Sequence, residues 1–317
     1  MCIRDSGIPT AAYRLIDKDF CDEDIAGLSF PAVMKPVDSQ GQRGIFLVQD
    51  IGEVRTHIAE TLSYSREDKA LLEEFYENDE ITVNGWAVDG DVTLLSVVDR
   101  LTIKSGNRIG ICLGHNFPSV HLDSNYNEIE DLTKRIAAAF GITNGPMYFQ
   151  YLVGADGIIV NEIAMRIGGA YEDLTIPLIV DIDVIPMLLD SVKNGRCSAY
   201  PLRGYNLRTH SKFVSTQLYF CRPGTVKSLT TRKKMLSLPF VHHYGCNYRY
   251  RDVIPETENA TARAGYMIVS GDSFPSMIGN VGRAFDALQI CDADRQNLVI
   301  PYADYKDKYI FFKDKEH

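Results

Sequence analysis

Residues 145–169, GPMYFQYLVGADGIIVNEIAMRIGG, hold two apolar runs of strand length around Asp156-Gly157. A tight turn between two such runs specifies an antiparallel hairpin. A hairpin in turn fixes which side chains meet. Gln150 and Glu162, on the two arms, fall where they can face each other on one side of the sheet. Glu162 sits between Val160 and Ile163 in a strand that reads as buried, and a carboxylate there needs a cation or a partner. A carboxylate and an amide oxygen on one face suit Mg²⁺, a hard cation that shares its oxygen shell with phosphates. A strand-end glutamate with no metal is the plainer alternative. Arg166 and then Gly168-Gly169 follow.

A second pair of strands is read in FPAVMKPVDSQGQRGIFLV, residues 30–48. AVMKPV and GIFLV have strand character, and the polar loop between them carries Gln40, Gly41, Gln42, Arg43 and Gly44. An ordinary hairpin is one reading. A phosphate-binding hairpin is the other, because glycines let backbone N–H groups approach an anion while Lys35 and Arg43 neutralise charge. The stretch LLEEFYENDEITV is either an exposed acidic turn or a connector beside a nucleotide. In the second case Glu80 would accept two ribose hydroxyls, a task that suits a carboxylate.

The remaining pattern is mixed. DIGEVRTHIAETLSYS has Val54, Ile58 and Leu62 at helical spacing, and KALLEEFYE reads as a strand. EITVNGWAVDGDVTLLSVVDRLTI reads as two strands joined at Asp89-Gly90. NEIEDLTKRIAAAFGI is an amphipathic helix ending near Gly141, and residues 173–195 are mostly helical with a break near Pro186. From about 205 onward, three strand-like runs and the helix SFPSMIGNVGRAFDAL suggest a separate α+β segment.

Composition narrows the classes. The 317 residues carry a formal net charge of −9, which argues against a general nucleic-acid binder. No apolar run approaches the ~20 residues of a membrane span. Seven scattered cysteines without a C-x-x-C pair read as reduced thiols of a cytoplasmic protein. His242-His243 point to opposite faces of a strand and make a poor metal pair. Cys112 with His115 lacks a third orienting group, so a buried thiol is expected there. Trp86, Tyr248 and Tyr250 read as packing residues, and RTHSKF and TTRKK as solvated surface.

K-P before a glycine loop, E-E-F with a glutamate seven residues after its first Glu, and a Gln/Glu pair ending in N-E-x-x-x-R-x-G-G, taken in this order, resemble the ATP-grasp superfamily. The likeness is greatest to its carboxylate–amine ligases, amino-acid ligases and carbamoyl phosphate synthetase relatives included, and covers roughly residues 7–200. It implies an α+β fold in which two subdomains grip ATP between antiparallel sheets, followed by a small C-terminal domain. The division expected is 1–25 as a remnant of an N-terminal region or linker, 26–77 and 78–204 as the two subdomains, and 205–317 as the C-terminal domain.

The resemblance also implies roles. Lys35 matches the lysine on the ATP phosphates, and Gln40, Gly41, Gln42, Arg43 and Gly44 match the loop over the triphosphate. Glu73, Glu74, Phe75 and Tyr76 match the adenine-side connector, and Glu80 the ribose-binding glutamate. Gln150 and Glu162 match the two positions for Mg²⁺, with Mn²⁺ as an alternative. Arg166 matches an arginine near the transferred phosphate, and Arg100 a further phosphate or substrate cation. The acceptor is expected near Arg100, Lys104, Tyr171 and Glu172; Glu172 either holds an ammonium group or starts the next helix. Partners are then a small-molecule carboxylate and an amine, without nucleic acid or membrane, and a homodimer is compatible with this. Three departures stand out. Position 150 is Gln where many members have an acid, although carbamoyl phosphate synthetases also use Gln there. Position 164 is Ala where Asn is usual. MCIRDS runs straight into GIPTAAYRLID, which reads as mid-domain, so the usual N-terminal domain is expected to be missing and turnover impaired. The expected activity is ATP-dependent joining of a carboxylate to an amine through an acyl phosphate. A nucleotide-binding module without catalysis, and an ATP-dependent carboxylase or carbamoyl-phosphate-type enzyme, are the rival readings.

Overall fold

The computed structural model describes residues 6–105, 108–195, 198–256 and 260–302, with the side chains of 103–108 and 200 outside that set. Strands β1 (Tyr13–Ile16), β2 (Ala32–Pro36), β3 (Phe46–Val48) and β4 (Ala70–Glu74) form one antiparallel sheet in the order β1-β4-β2-β3. The alternation of AVMKP puts Ala32, Met34 and Pro36 inward, and Val33 and Lys35 on the other face. Helix α1 (Ile51–Ser63) buries Val54, Ile58 and Leu62 against this sheet, as its spacing predicts. Asp50 caps it by accepting the Glu53 N–H at 3.0 Å, and Glu53 answers by accepting the Gln49 N–H at 2.9 Å.

A larger sheet follows. Its strands are β5 (Asp79–Val88), β6 (Asp91–Ser105), β7 (Arg108–Phe117), β8 (Gly145–Gly154), β9 (Gly157–Ala164) and β10 (Phe213–Tyr219). Two-residue pairs come next: β11 (Gly224–Thr225) with β14 (Val253–Ile254), and β12 (Ser228–Leu229) with β16 (Ile290–Cys291). β13 (Val241–Cys246) and β15 (Gly265–Gly271) complete the large sheet, whose order is β13-β15-β10-β7-β6-β5-β8-β9. The β5–β6 and β8–β9 hairpins turn where their Asp-Gly pairs place them. Helix α2 (Leu122–Ala139) covers one face through Ile129, Leu132 and Ile136, and starts earlier than its clearest amphipathic stretch.

Three details differ from the sequence reading. The expected boundary at 204/205 falls inside the large sheet, because β10 pairs directly with β7 and so covers an edge that would otherwise be open. Residues 1–25 are more than a linker where they are described: β1 joins the small sheet, and the Pro9 carbonyl accepts the Val160 N–H at 2.9 Å. The helical stretch breaks at residues 181–183, between α3 (Glu172–Val180) and α4 (Val184–Asn194), and not at Pro186. Asp181 takes a left-handed conformation and Asp183 caps α4, while Pro186 sits in the first turn, where a missing N–H costs nothing.

The buried apolar residues form three clusters. One lies in the small sheet with α1; one between the large sheet and helices α2–α4; one joins the β6–β7 hairpin to the C-terminal strands, α5 (Arg232–Met235) and α6 (Phe274–Ala287). No helix among the described residues is long and apolar enough to cross a membrane.

Candidate functional site

The cleft lies between the two sheets, and Lys35 marks it. Its ammonium pairs with Glu73 on the neighbouring strand and reaches Asn161 Oδ1 of the large sheet at 3.4 Å. One side chain therefore touches both walls. Strand β2 can carry a lysine because Lys35 lies on the face away from the small sheet's core.

The facing wall is one side of the large sheet. Its register sets Thr82 opposite Gln150, Gln150 opposite Glu162, and Arg100 opposite His115. Tyr148 and Ala164 are the next pair on the same face. Glu162 is half exposed, and Arg166 Nη2 stands 3.8 Å from its carboxylate. The Arg166 guanidinium also stacks over the Tyr148 ring, 4.8 Å from its centre. Gln150 donates to the Tyr148 hydroxyl at 3.1 Å, and its Oε1 accepts from Asn161 at 3.4 Å. Gln150, Glu162 and Arg166 thus converge as the sequence spacing suggests.

Other candidates have partners within the protein. Glu80 makes an ion pair with Arg100 at 2.7 Å, with Arg100 buried and Glu80 largely so. Burial pushes the Glu80 carboxyl up from the ordinary carboxylate range, against the pull of Arg100. Arg100 also donates to the Gly110 carbonyl at 3.3 Å, so its guanidinium is an internal counter-charge and not an open receptor. Glu80 in addition feels the charges of Glu162 and Lys35. Arg43 braces the loop and the end of α1: its Nε donates to the Gln40 carbonyl at 3.0 Å, and its guanidinium sits 5.9 Å from the Tyr64 ring centre. Glu73 is the partner of Lys35, and Glu74 accepts the Ser29 N–H at 2.8 Å. Phe75 donates its backbone N–H to the Pro31 carbonyl at 2.9 Å, and the Tyr76 hydroxyl donates to the Gly157 carbonyl at 2.8 Å, which ties the connector to both sheets. Lys104 lies on β6 by its backbone, and its side chain falls outside the described residues.

The loop over the cleft needs its glycines. Gly41 and Gly44 have φ of 72° and 68°, and a Cβ on Gly41 would stand 2.7 Å from the Thr261 methyl. Gln42 Oε1 and Ser39 Oγ are buried there without a hydrogen-bond partner.

Beyond Arg166 the chain turns tightly and enters α3. Glu172 is the first helical residue, 3% exposed, and its Oε2 accepts the Ala170 N–H at 2.6 Å. A Cβ on Gly168 would lie 2.3 Å from the Glu172 carboxyl carbon, so only glycine fits beside it. Glu172 Oε1 faces His115 Nδ1 at 3.4 Å. Tyr171, at φ 66°, stacks on Tyr266 with ring centres 3.6 Å apart, under Arg263. Glu172 therefore starts α3 and braces the turn, while Tyr171 packs between Tyr266 and Arg263.

Burial pushes the Glu172 carboxyl up to about 7, and burial together with the Arg100 charge pushes His115 down to about 3. A glutamate in the unfolded chain loses its proton near 4.3, so from there to about 7 the folded protein holds the extra proton. The contribution of Glu172 to stability consequently falls as pH rises through this window. His115 acts in the opposite sense, favouring the fold as pH rises from about 3 to the unfolded value of about 6.5. Glu172→Gln removes the first effect only. The stability of Glu172→Gln relative to the wild type is expected to increase with pH between about 4 and 7, by up to roughly 3 kcal/mol. Urea midpoints of the two proteins at pH 5 and 7.5 check this; parallel curves would exclude it.

A family model for the ATP-grasp domain matches residues 28–173, which span both sheets of this cleft. The match puts an ATP-grasp domain in this stretch of the chain. An L-arginine-specific L-amino acid ligase of Bacillus subtilis is 28% identical over 267 residues, covering 80% of this chain and 61% of the relative. Dapdiamide A synthase of Enterobacter agglomerans is 21% identical over 252 residues, covering 77% and 58%. The crystal structure of an L-amino acid ligase from Bacillus licheniformis superposes with a TM-score of 0.77 at 18% identity, over 93% of this chain and 70% of that one. Together with the domain match, these relatives support the carboxylate–amine ligase branch of the ATP-grasp superfamily. The chain spans about 60% of the length of the curated relatives it matches.

Two features of this cleft escape a reading by spacing. Asn161 faces the cleft although period two would turn it away from Glu162. His115 stands on the same wall as Arg100, where only the strand pairing brings it.

Proposed function

We propose that the protein is an ATP-dependent ligase that joins the carboxylate of one small molecule, an amino acid by the likeness of its relatives, to the amine of another. The observation that carries this reading is the cleft at Lys35, where one cation reaches the face that bears Gln150, Asn161, Glu162 and Arg166. Lys35 and Arg166 supply fixed positive charge on its two sides, suited to a triphosphate.

Gln150 and Glu162 offer oxygen donors from neighbouring strands, and Glu162 is half exposed with Arg166 3.8 Å away, which fits a hard cation such as Mg²⁺. When bound there, Mg²⁺ would neutralise charge on the phosphates. In the reaction, a carboxylate oxygen attacks the γ-phosphorus and the bond to the ADP oxygen breaks. The amine nitrogen then attacks the acyl carbon, phosphate leaves, and the nitrogen gives up a proton. Lys35 and Arg166 would hold the migrating phosphoryl group, and the loop of residues 38–43 would keep water from the acyl phosphate.

The test is ADP release with ATP and Mg²⁺ against panels of amino acids, other carboxylates and bicarbonate. Release that requires a carboxylate and an amine together supports the ligase. Release that requires bicarbonate would move the protein to the carboxylating class. ATP binding without release under any pair would mark a binding module.

A further inference from the structure

We propose that Asn161 supplies a third protein oxygen to the divalent cation, in place of the donor that Ala164 lacks. The inference rests on the nucleotide site proposed above, and goes beyond it in naming a ligand by this chain's own geometry.

The β8–β9 ladder explains how Asn161 comes to be there. From the turn, Gly154 pairs with Gly157 and Tyr151 with Val160, a regular register that would next set Asn161 opposite Gln150. A β-bulge intervenes, and Glu162 is the residue found opposite Gln150. Two residues of β9 thus oppose one of β8, and a bulge of this kind re-aims the extra side chain. The hydrogen bonds show where it goes. Asn161 Nδ2 donates to Gln150 Oε1, and Asn161 Oδ1 accepts from Lys35, both at 3.4 Å. Three oxygen-bearing side chains from two strands therefore share one face.

Position 164 lies on that same face, opposite Tyr148, but presents a methyl group. Gln150 is neutral, so Gln150 and Glu162 alone give the cation one formal charge and two side chains. Mg²⁺ prefers six oxygens, and a carboxamide oxygen is a suitable donor. Asn161 Oδ1 already sits against a cation, the Lys35 ammonium. With nucleotide bound, Lys35 has phosphate oxygens to pair with, and Oδ1 is released toward the metal. The long 3.4 Å contacts on both sides of the amide leave it free to make that exchange.

The test measures metal binding and not turnover. Mn²⁺ is titrated into the full chain with ADP by electron paramagnetic resonance, and ADP affinity without metal is measured by calorimetry. Asn161→Ala is expected to weaken Mn²⁺ binding to the ADP complex by about tenfold or more, with metal-free ADP affinity within about twofold of wild type. Asn161→Asp should bind Mn²⁺ at least as tightly as wild type. Adding Ala164→Asn to Asn161→Ala should restore most of the loss, because it returns an oxygen to the same face. If Glu162→Ala abolishes Mn²⁺ binding while Asn161→Ala leaves it unchanged, the ligand assignment fails and the nucleotide site stands. Equal losses with and without metal would make Asn161 merely a support for Lys35, and also overturn the proposal. No Mn²⁺ binding by the wild-type ADP complex would sink the metal site and this inference together.

Discussion

Lys35→Ala is expected to weaken MgATP binding at least tenfold and to lower ADP release by about 10²–10³-fold, the cost of removing one fixed charge at a phosphoryl-transfer site. The expectation follows from position. Lys35 is partly buried between two sheets, its ammonium pairs with Glu73, and its second contact is Asn161 across the cleft. Removing it leaves the Glu73 carboxylate facing the same space, so the site loses a positive charge and gains an unopposed negative one. Lys35→Arg should not rescue fully, since a guanidinium fork differs in length and shape from an ammonium. Glu73→Gln in the Lys35→Ala background should recover part of the affinity by removing the repulsion. Calorimetric titration of MgATP into the three variants decides this. Unchanged affinity in Lys35→Ala would show that the cleft at Lys35 is not the phosphate site.

The sequence-level reading succeeds where a local turn sets the geometry. Asp156-Gly157 and Asp89-Gly90 each pin a hairpin, so Gln150, Glu162 and the long β5–β6 pair could be placed without knowing the rest of the chain. It fails where a bulge shifts the count. Val88 pairs with Asp91, and that register, extended without interruption, would set Glu80 opposite Asp99 and bring two acids together. The bulge between Asn84 and Gly85 moves the ladder by one residue and delivers Arg100 to Glu80 instead. The bulge at Asn161 acts likewise. Neither leaves a composition signal that alternation would reveal, because a bulge is an interruption of alternation. Long-range pairing is the other blind spot. Nothing near residue 213 says that β10 will pair with β7, so the C-terminal segment reads as separate while its strands extend the same sheet. Arg43 illustrates a third limit: its place in the loop is plain, but the side chain's direction depends on Tyr64, which belongs to the end of α1.

Arg100→Met should be the most damaging of the simple substitutions to stability, by roughly 3–5 kcal/mol, since it leaves a buried acid without its counter-charge. Arg100 is 5% exposed and Glu80 is held by it at 2.7 Å, so neither group has water to fall back on. Burial already raises the Glu80 carboxyl, and without Arg100 it rises further. The folded protein would then carry a protonated Glu80 at a pH where the unfolded chain does not, and the variant would lose stability as pH rises above the ordinary carboxylate range. Wild type should show the same slope over a narrower range, because Arg100 pulls the Glu80 carboxyl back toward its ordinary value. Glu80→Leu with Arg100→Met removes both charges and should regain most of the loss, because two apolar side chains at a buried site need no partner. The pair also bears on the chemistry. Glu80 feels Glu162 and Lys35, so freeing it from Arg100 adds negative potential to the cation site. At a pH high enough to ionise Glu80, Arg100→Met should bind Mn²⁺ more tightly than wild type even as its urea midpoint falls. Stability and metal affinity moving in opposite directions is the signature of a counter-charge to Glu80. If both fall together, Arg100 acts on the cleft only by holding up the fold.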